Sequence, residues 1–162
     1  MQSAEAAIDR LADPAAKVSA HYVVAEDGTV VKMVDEACRA WHAGKSWWRG
    51  ITDVNSASIG IEIVNPGHEF GYRPFPDVQM AAVEALVAAA VDRYRIRPGN
   101  VVGHSDVAPA RKDDPGELFD WPRLARAGLA AKLPEGGFDP NWHDEGTCLL
   151  YTSDAADDLL CV

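Results

Sequence analysis

The 162-residue chain has no apolar run approaching the roughly 18–20 residues that a membrane-spanning helix requires. No signal peptide is visible in Gln2–Arg10, which carries acids and lacks an apolar stretch, and that carries no information about compartment. Cysteine is scarce: Cys38, Cys148 and Cys161 have no metal-binding spacing and suggest no disulfide framework. Positive charge is also in deficit. Fifteen Lys and Arg against 25 Asp and Glu leave a formal charge of −10, which argues against nucleic acid as a partner. What is present, 48% hydrophobic and 25% charged residues, is the composition of one globular domain large enough for a real core.

Read in order, Ser3 can cap a helix running to about Ala12, which Asp13-Pro14 ends. Val18–Ala25 and Val30–Val34 read as a hairpin around the turn Glu26–Thr29, with Gly28 supplying positive φ. Ala40–Asn55 is a long loop rich in tryptophan, and aromatic faces beside polar groups suit sugar and peptide binding; the plainer reading packs those tryptophans over the core. In Asn55–Val64 the alternation puts Ile59, Ile61 and Ile63 on one face of a strand and Ser58, Gly60 and Glu62 on the other. Glu62 is then either a solvated edge residue or a carboxylate facing a site. Asp77–Tyr94 has helical spacing of Met80, Val83, Leu86, Val87 and Val91, a core-packing pattern. Pro122–Ala127 reads as a short helix stopped by Gly128.

The stretch around which the rest is organised is Val101–Trp121, VVGHSDVAPARKDDPGELFDW. Two β-branched residues and a glycine describe a strand that stops where His104 begins a Pro-, Asp- and Gly-rich loop. His104, Lys112 and Asp114 are too irregularly spaced for one helix face, but a loop folding back on the strand end would gather them. Imidazole and carboxylate are both good ligands for a divalent ion, and a lysine beside them can stabilise developing negative charge. Spacing alone leaves a surface loop of solvated charges equally open.

GHSDVAPARKDDPG resembles the signature of the zinc-dependent N-acetylmuramoyl-L-alanine amidases of the type 2 family. SIGIE, AWHAG and the hairpin VSAHYVV…DGTVVKMV resemble other segments of the same enzymes, so the resemblance runs from about Ser3 to Leu133. It implies an α/β fold, a central mixed β-sheet flanked by helices, shared with the peptidoglycan recognition proteins. It also implies Zn2+-dependent hydrolysis of the amide joining the lactyl group of muramic acid to L-alanine in peptidoglycan or muropeptides. By the same resemblance His104 and Asp114 are zinc ligands, Glu62 the general base and Lys112 the oxyanion partner. His42, with Trp41, Trp47 and Asn55 of the tryptophan loop, would bind substrate. His21 would orient the site from behind rather than ligate.

Both ends depart from the family pattern. A strand ending in a zinc-ligating His comes first in the family and has no counterpart here. The reading therefore expects an N-terminally truncated amidase domain over 1–133, a sheet lacking its first, central strand with an unpaired edge, and weak zinc binding with impaired activity. Residues 134–147 read as a linker or frayed terminus. Cys148–Asp157 resembles the conceptual translation of a transposase-type sequencing adapter, so 148–162 is expected to be non-native. A monomer is expected, and the Gly/Pro-rich loop Asn65–Pro76 resembles an insert of envelope-located members, which favours the envelope over the cytoplasm. Two alternatives stand beside the amidase: a non-catalytic peptidoglycan-binding module, and an unrelated metal-dependent phosphoesterase, which the acidic charge and single candidate metal centre count against.

Overall fold

The strand that organises the molecule is β3, Ser58–Ile63, and its two faces have opposite chemistry. Ile59 and Ile61 are buried on one face, against Val24 and the helix α2 (Asp77–Tyr94) through Met80, Val83 and Val87. Gly60 and Glu62 point to the other face, as the period of two requires. The computed structural model describes residues 3–132 and, as backbone only, 159–161.

β1 (Tyr22–Val24) pairs antiparallel with β2 (Val30–Lys32) and parallel with β3, so the sheet is mixed. Adjacent residues of β1 serve opposite layers. Val24 joins the α2 core, while Val23 packs with Ala7 and Val64 under the helix α1 (Ala4–Ala12). α1 is capped by the Ser3 hydroxyl, which accepts from the Ala6 amide at 3.2 Å. Helices therefore cover both faces. β4 is only Val101–Val102, and the chain passes from it directly into the helical turn α3, His104–Val107. The helix α4, Trp121–Arg126, closes the described domain with Leu124 in the α2 core.

Three expectations change. The β1 segment is shorter than Val18–Ala25, because Ser19 is drawn off the ladder: its amide donates to Trp41 O at 3.1 Å and its hydroxyl accepts from Trp41 N at 2.8 Å. The Asn55–Val64 strand begins only at Ser58, since Asp53–Ala57 is a turn closed by Ser56 N→Asp53 O and Ala57 N→Val54 O. Among the described residues, the expected unpaired edge between β3 and β4 is filled. The backbone of β5, Leu159–Cys161, lies parallel between β3 and β4, giving a five-stranded sheet in the order β2-β1-β3-β5-β4. The expected linker and the rest of the tail lie outside the described residues.

Buried Gln79 was not foreseen within the apolar stripe of α2. Its side-chain nitrogen donates to Val24 O at 3.1 Å and Val64 O at 2.8 Å, satisfying carbonyls where β1 and β3 leave the sheet.

Deleting residues 159–162 should destabilise the domain by about 2 kcal/mol, from ladder hydrogen bonds worth about 0.5–1.5 kcal/mol each. A urea midpoint equal to that of the whole chain would show that β5 contributes nothing.

Candidate active site

The end of β4 and the returning loop are brought together by the backbone. Ser105 N donates to Asp114 O at 2.9 Å, and the Asp106 carboxylate accepts from Gly103 N at 2.7 Å. His104 thus faces the loop residue ten positions on, and its Nδ1 lies 3.1 Å from Asp114 Oδ2. Lys112 Nζ stands 3.8 Å from the other oxygen, Asp114 Oδ1. Partial desolvation works to raise the Asp114 carboxyl, but the hydrogen bond and charge of His104, with the Lys112 charge, outweigh it and hold it below the usual range.

The second nitrogen of His104, Nε2, is 3.1 Å from the carbonyl oxygen of Ala43. A carbonyl only accepts, so Nε2 carries a proton and Nδ1 is left to face Asp114. Arg111 donates to the same Ala43 oxygen at 2.7 Å and to Lys45 O at 2.9 Å. One backbone carbonyl of the tryptophan loop thereby fixes both the imidazole and the loop that carries Asp114.

Asn55 sets that tryptophan loop. It is buried, and its Oδ1 accepts from the amides of His42 and Ala43 at 2.9 and 2.8 Å. It does not line the cavity, so it supports the loop rather than contacting a ligand. Trp47 is likewise not at the cavity: it is exposed, and its amide donates to Val107 O at 2.8 Å. Trp41 does line the cavity and is 55% exposed.

The His42 ring lies flat against β3, where a Cβ on Gly60 would sit 2.2 Å from its Cγ, so only glycine allows this approach. The ring hydrogen-bonds the Ser58 backbone, while Nε2 is buried with no partner among the described residues. The Ser58 bond therefore belongs to Nδ1. Burial first, then neighbouring His21, pushes the imidazole down to about 4, so His42 is neutral. His21, 1% exposed, accepts from Gly60 N through Nδ1 at 2.9 Å and donates through Nε2 to Cys38 O at 3.0 Å. Both its nitrogens are used, which leaves it as a strut between β1 and β3 with its ring edge-on to His42 at 5.6 Å.

Glu62 shares an inner recess of about 40 Å³ with His42, His104 and Asp114, opening into a cavity of about 540 Å³ that Lys112 and Trp41 also line. Burial raises the Glu62 carboxyl, and the Asp114 charge adds to the rise. A carboxylate so raised in a recess beside an imidazole makes Glu62 a candidate for acid–base work.

A family model for N-acetylmuramoyl-L-alanine amidase (Amidase_2) matches residues 1–117. The chain belongs to this amidase family. It is 44% identical over 127 residues to the N-acetylmuramoyl-L-alanine amidase AmiD of Escherichia coli, covering 71% of this chain and 46% of that protein. It is 40% identical over 108 residues to the 1,6-anhydro-N-acetylmuramyl-L-alanine amidase AmpD of the same organism, covering 67% and 57%. The solved complex of E. coli AmiD with anhydro-N-acetylmuramic acid-L-Ala-D-gamma-Glu-L-Lys superposes with TM-score 0.74 at 39% identity, covering 81% of this chain and 55% of that one. AmpDh3 of Pseudomonas aeruginosa superposes at 0.76 and 34% identity, covering 82% and 58%. The chain thus spans about half the length of the curated relatives it matches.

Two features of this amidase domain had no signal in the sequence. The Ala43 carbonyl is a backbone atom, and backbone atoms leave no residue pattern. Tyr72, in the Gly/Pro-rich loop, donates to Pro115 O at 2.7 Å and accepts from Leu118 N at 3.0 Å, with its oxygen where a Cβ on Gly116 would be 2.4 Å away. It clamps the turn that follows Asp114. Nearby, His68 reaches Glu117 at 3.0 Å across the same junction.

Tyr72→Phe keeps the ring and removes the clamp. Amide hydrogen exchange at Leu118 should then speed by about tenfold, the equivalent of one ordinary hydrogen bond. Unchanged exchange would show that the hydroxyl holds nothing.

Proposed function

We propose that this chain is the catalytic unit of an N-acetylmuramoyl-L-alanine amidase, its domain spanning 1–133 with β5, Leu159–Cys161, completing the sheet. The substrate is a muropeptide or peptidoglycan, cut between the muramic-acid lactyl carbonyl and the L-alanine nitrogen. The observation that carries the reading is the raised Glu62 carboxyl in one recess with the His104–Asp114 pair, Lys112 lining the adjoining cavity.

Glu62, when ionised, takes a proton from water as the water oxygen adds to the carbonyl carbon. The Lys112 ammonium stabilises the negative charge left on the carbonyl oxygen. Glu62 then returns its proton to the amide nitrogen, the C–N bond breaks, and a lactyl carboxylate and a free alanine amine leave. His42, neutral, lines the recess and shapes the seat of the substrate. Trp41 at the mouth offers an aromatic face to the sugar.

Members of this family are generally zinc-dependent, the metal polarising the scissile carbonyl and water. His104 Nδ1 and Asp114 Oδ2 converge as two donors suited to it. A zinc hydrolase site keeps three protein ligands, and no three His, Cys, Asp or Glu side chains come together for a metal among the described residues. Among the described residues the donors fit zinc incompletely, and this chain is expected to hold zinc weakly and turn over slowly. That deficit favours a second reading, a non-catalytic muropeptide-binding module. The net charge of −10 supports no nucleic-acid partner, and the protein is proposed to act as a monomer at the cell envelope. No helix of the described residues is long and apolar enough to cross a membrane.

The test is release of the peptide from anhydro-N-acetylmuramic acid-L-Ala-D-gamma-Glu-L-Lys with zinc in excess, followed by mass spectrometry. Glu62→Gln should slow cleavage by about 10²–10⁴-fold. Equal rates remove Glu62 from the chemistry, and binding without cleavage selects the second reading. The pH profile has a definite sign. Glu62 must be ionised and burial raises it, so kcat/KM climbs with pH on a limb above the ordinary glutamate value of about 4.3. His42, at about 4, is neutral throughout and adds no second limb.

A further inference from the structure

α1 lies on the same face of the sheet as Glu62. Val23 and Glu62 are register partners on β1 and β3, so their side chains leave the sheet together, and Val23 packs under α1 against Ala7. The loop 111–115 returns beside the end of β4, on the other side of β3 in the strand order. The cavity of about 540 Å³ therefore has Glu62 on its floor, the last turn of α1 on one flank and that loop on the other. Arg10 is the charged residue that α1 contributes to it.

The cavity is not cationic as a whole, since Glu62, Asp113 and Asp114 line it together with Arg10, Arg111 and Lys112. Pairing, rather than net charge, sets the cations apart. Arg111 donates to Ala43 O and Lys45 O, and Lys112 stands 3.8 Å from Asp114. Arg10 makes no hydrogen bond or ion pair among the described residues. Its place in the last turn of α1 complements the helix dipole, which uses the charge and none of the guanidinium's N–H donors. Ile8 and Leu11 on either side pack into the cluster around Val23 and Val64, so the backbone that carries Arg10 is fixed. A planar fork of donors held on a cavity wall is matched to a carboxylate, which it can grip through two parallel bonds.

A muropeptide stem such as L-Ala-D-gamma-Glu-L-Lys carries two free carboxylates, one on the glutamyl residue and one at its end. The γ-linkage leaves the glutamyl α-carboxyl as a branch, a fixed number of bonds from the amide that is cut. The terminal carboxyl moves outward as the stem lengthens. A side chain fixed in the cavity that holds Glu62 can meet the first of these at every stem length, but not the second.

We propose that Arg10 binds the α-carboxylate of the D-γ-glutamyl residue, so that the protein selects stems bearing the free acid over stems bearing the amide. This rests on the muropeptide reading. The probes are anhydro-N-acetylmuramic acid-L-Ala-D-gamma-Glu-L-Lys and the same compound with that α-carboxyl converted to a carboxamide. Affinities are read by calorimetry on the whole chain before zinc is added. The acid should bind about tenfold tighter, the order expected of one charge-assisted pair at a solvated site. Arg10→Gln, at an exposed position, should bring the acid down to the level of the amide and leave the amide within about twofold. Arg10→Lys keeps the charge and loses the fork, so its preference should fall between the two. Equal affinities in the unmodified chain overturn the assignment while leaving the muropeptide reading intact. So does an Arg10→Gln protein, folded by circular dichroism, that still prefers the acid. Failure of both probes to bind removes the muropeptide reading and the Arg10 assignment together.

Discussion

The site depends on the carbonyl oxygen of Ala43. It accepts from His104 Nε2 and from Arg111 at once, and these two bonds join segments more than sixty residues apart. An imidazole has two nitrogens, and tying one to a carbonyl settles what the other can do. Nδ1 must then face Asp114, either as the N–H of an imidazolium or as a lone pair beside a carboxylate, and the second state is a half-built cation site. Asn55 holds the two peptide amides that precede this carbonyl, so a buried amide side chain supports the position of a distant ring.

Sheet order sets the width of the recess. Glu62 is near the end of β3, and His104 follows directly on β4, with β5 between them. The strand backbones that carry them stand two spacings apart, roughly 10 Å, and both side chains line the recess between. The same arrangement explains why Glu62 is raised while Asp114 is lowered. Glu62 is half-buried and its desolvation is not offset by the Lys112 and His104 charges near it, whereas Asp114 has the imidazole against it.

Two polar atoms remain unmatched inside the described residues, His42 Nε2 and Gln79 Oε1. They differ in kind. Gln79 spends its two N–H donors on backbone carbonyls at the ends of β1 and β3, and its leftover oxygen is the residue of a structural task. His42 lines the recess with its Nε2 buried, held there by a glycine that admits its ring and by a neighbouring histidine whose nitrogens are both occupied.

Much of this protein was legible in its residues. The Ser3 cap, the span of α2, the turn at Gly28 and the stop at Gly128 follow from local preferences that do not depend on the rest of the chain. The alternation that placed Glu62 opposite three isoleucines follows from the strand period alone. Family membership, too, was carried by contiguous motifs. Other features required the chain to be folded. The Tyr72 clamp, the supporting role of Asn55 and the strand at Leu159–Cys161 all rest on partners distant in sequence. Side-chain type and spacing encode local conformation, but the choice of a particular backbone carbonyl or amide as a partner is made only when tertiary packing brings it within hydrogen-bonding distance.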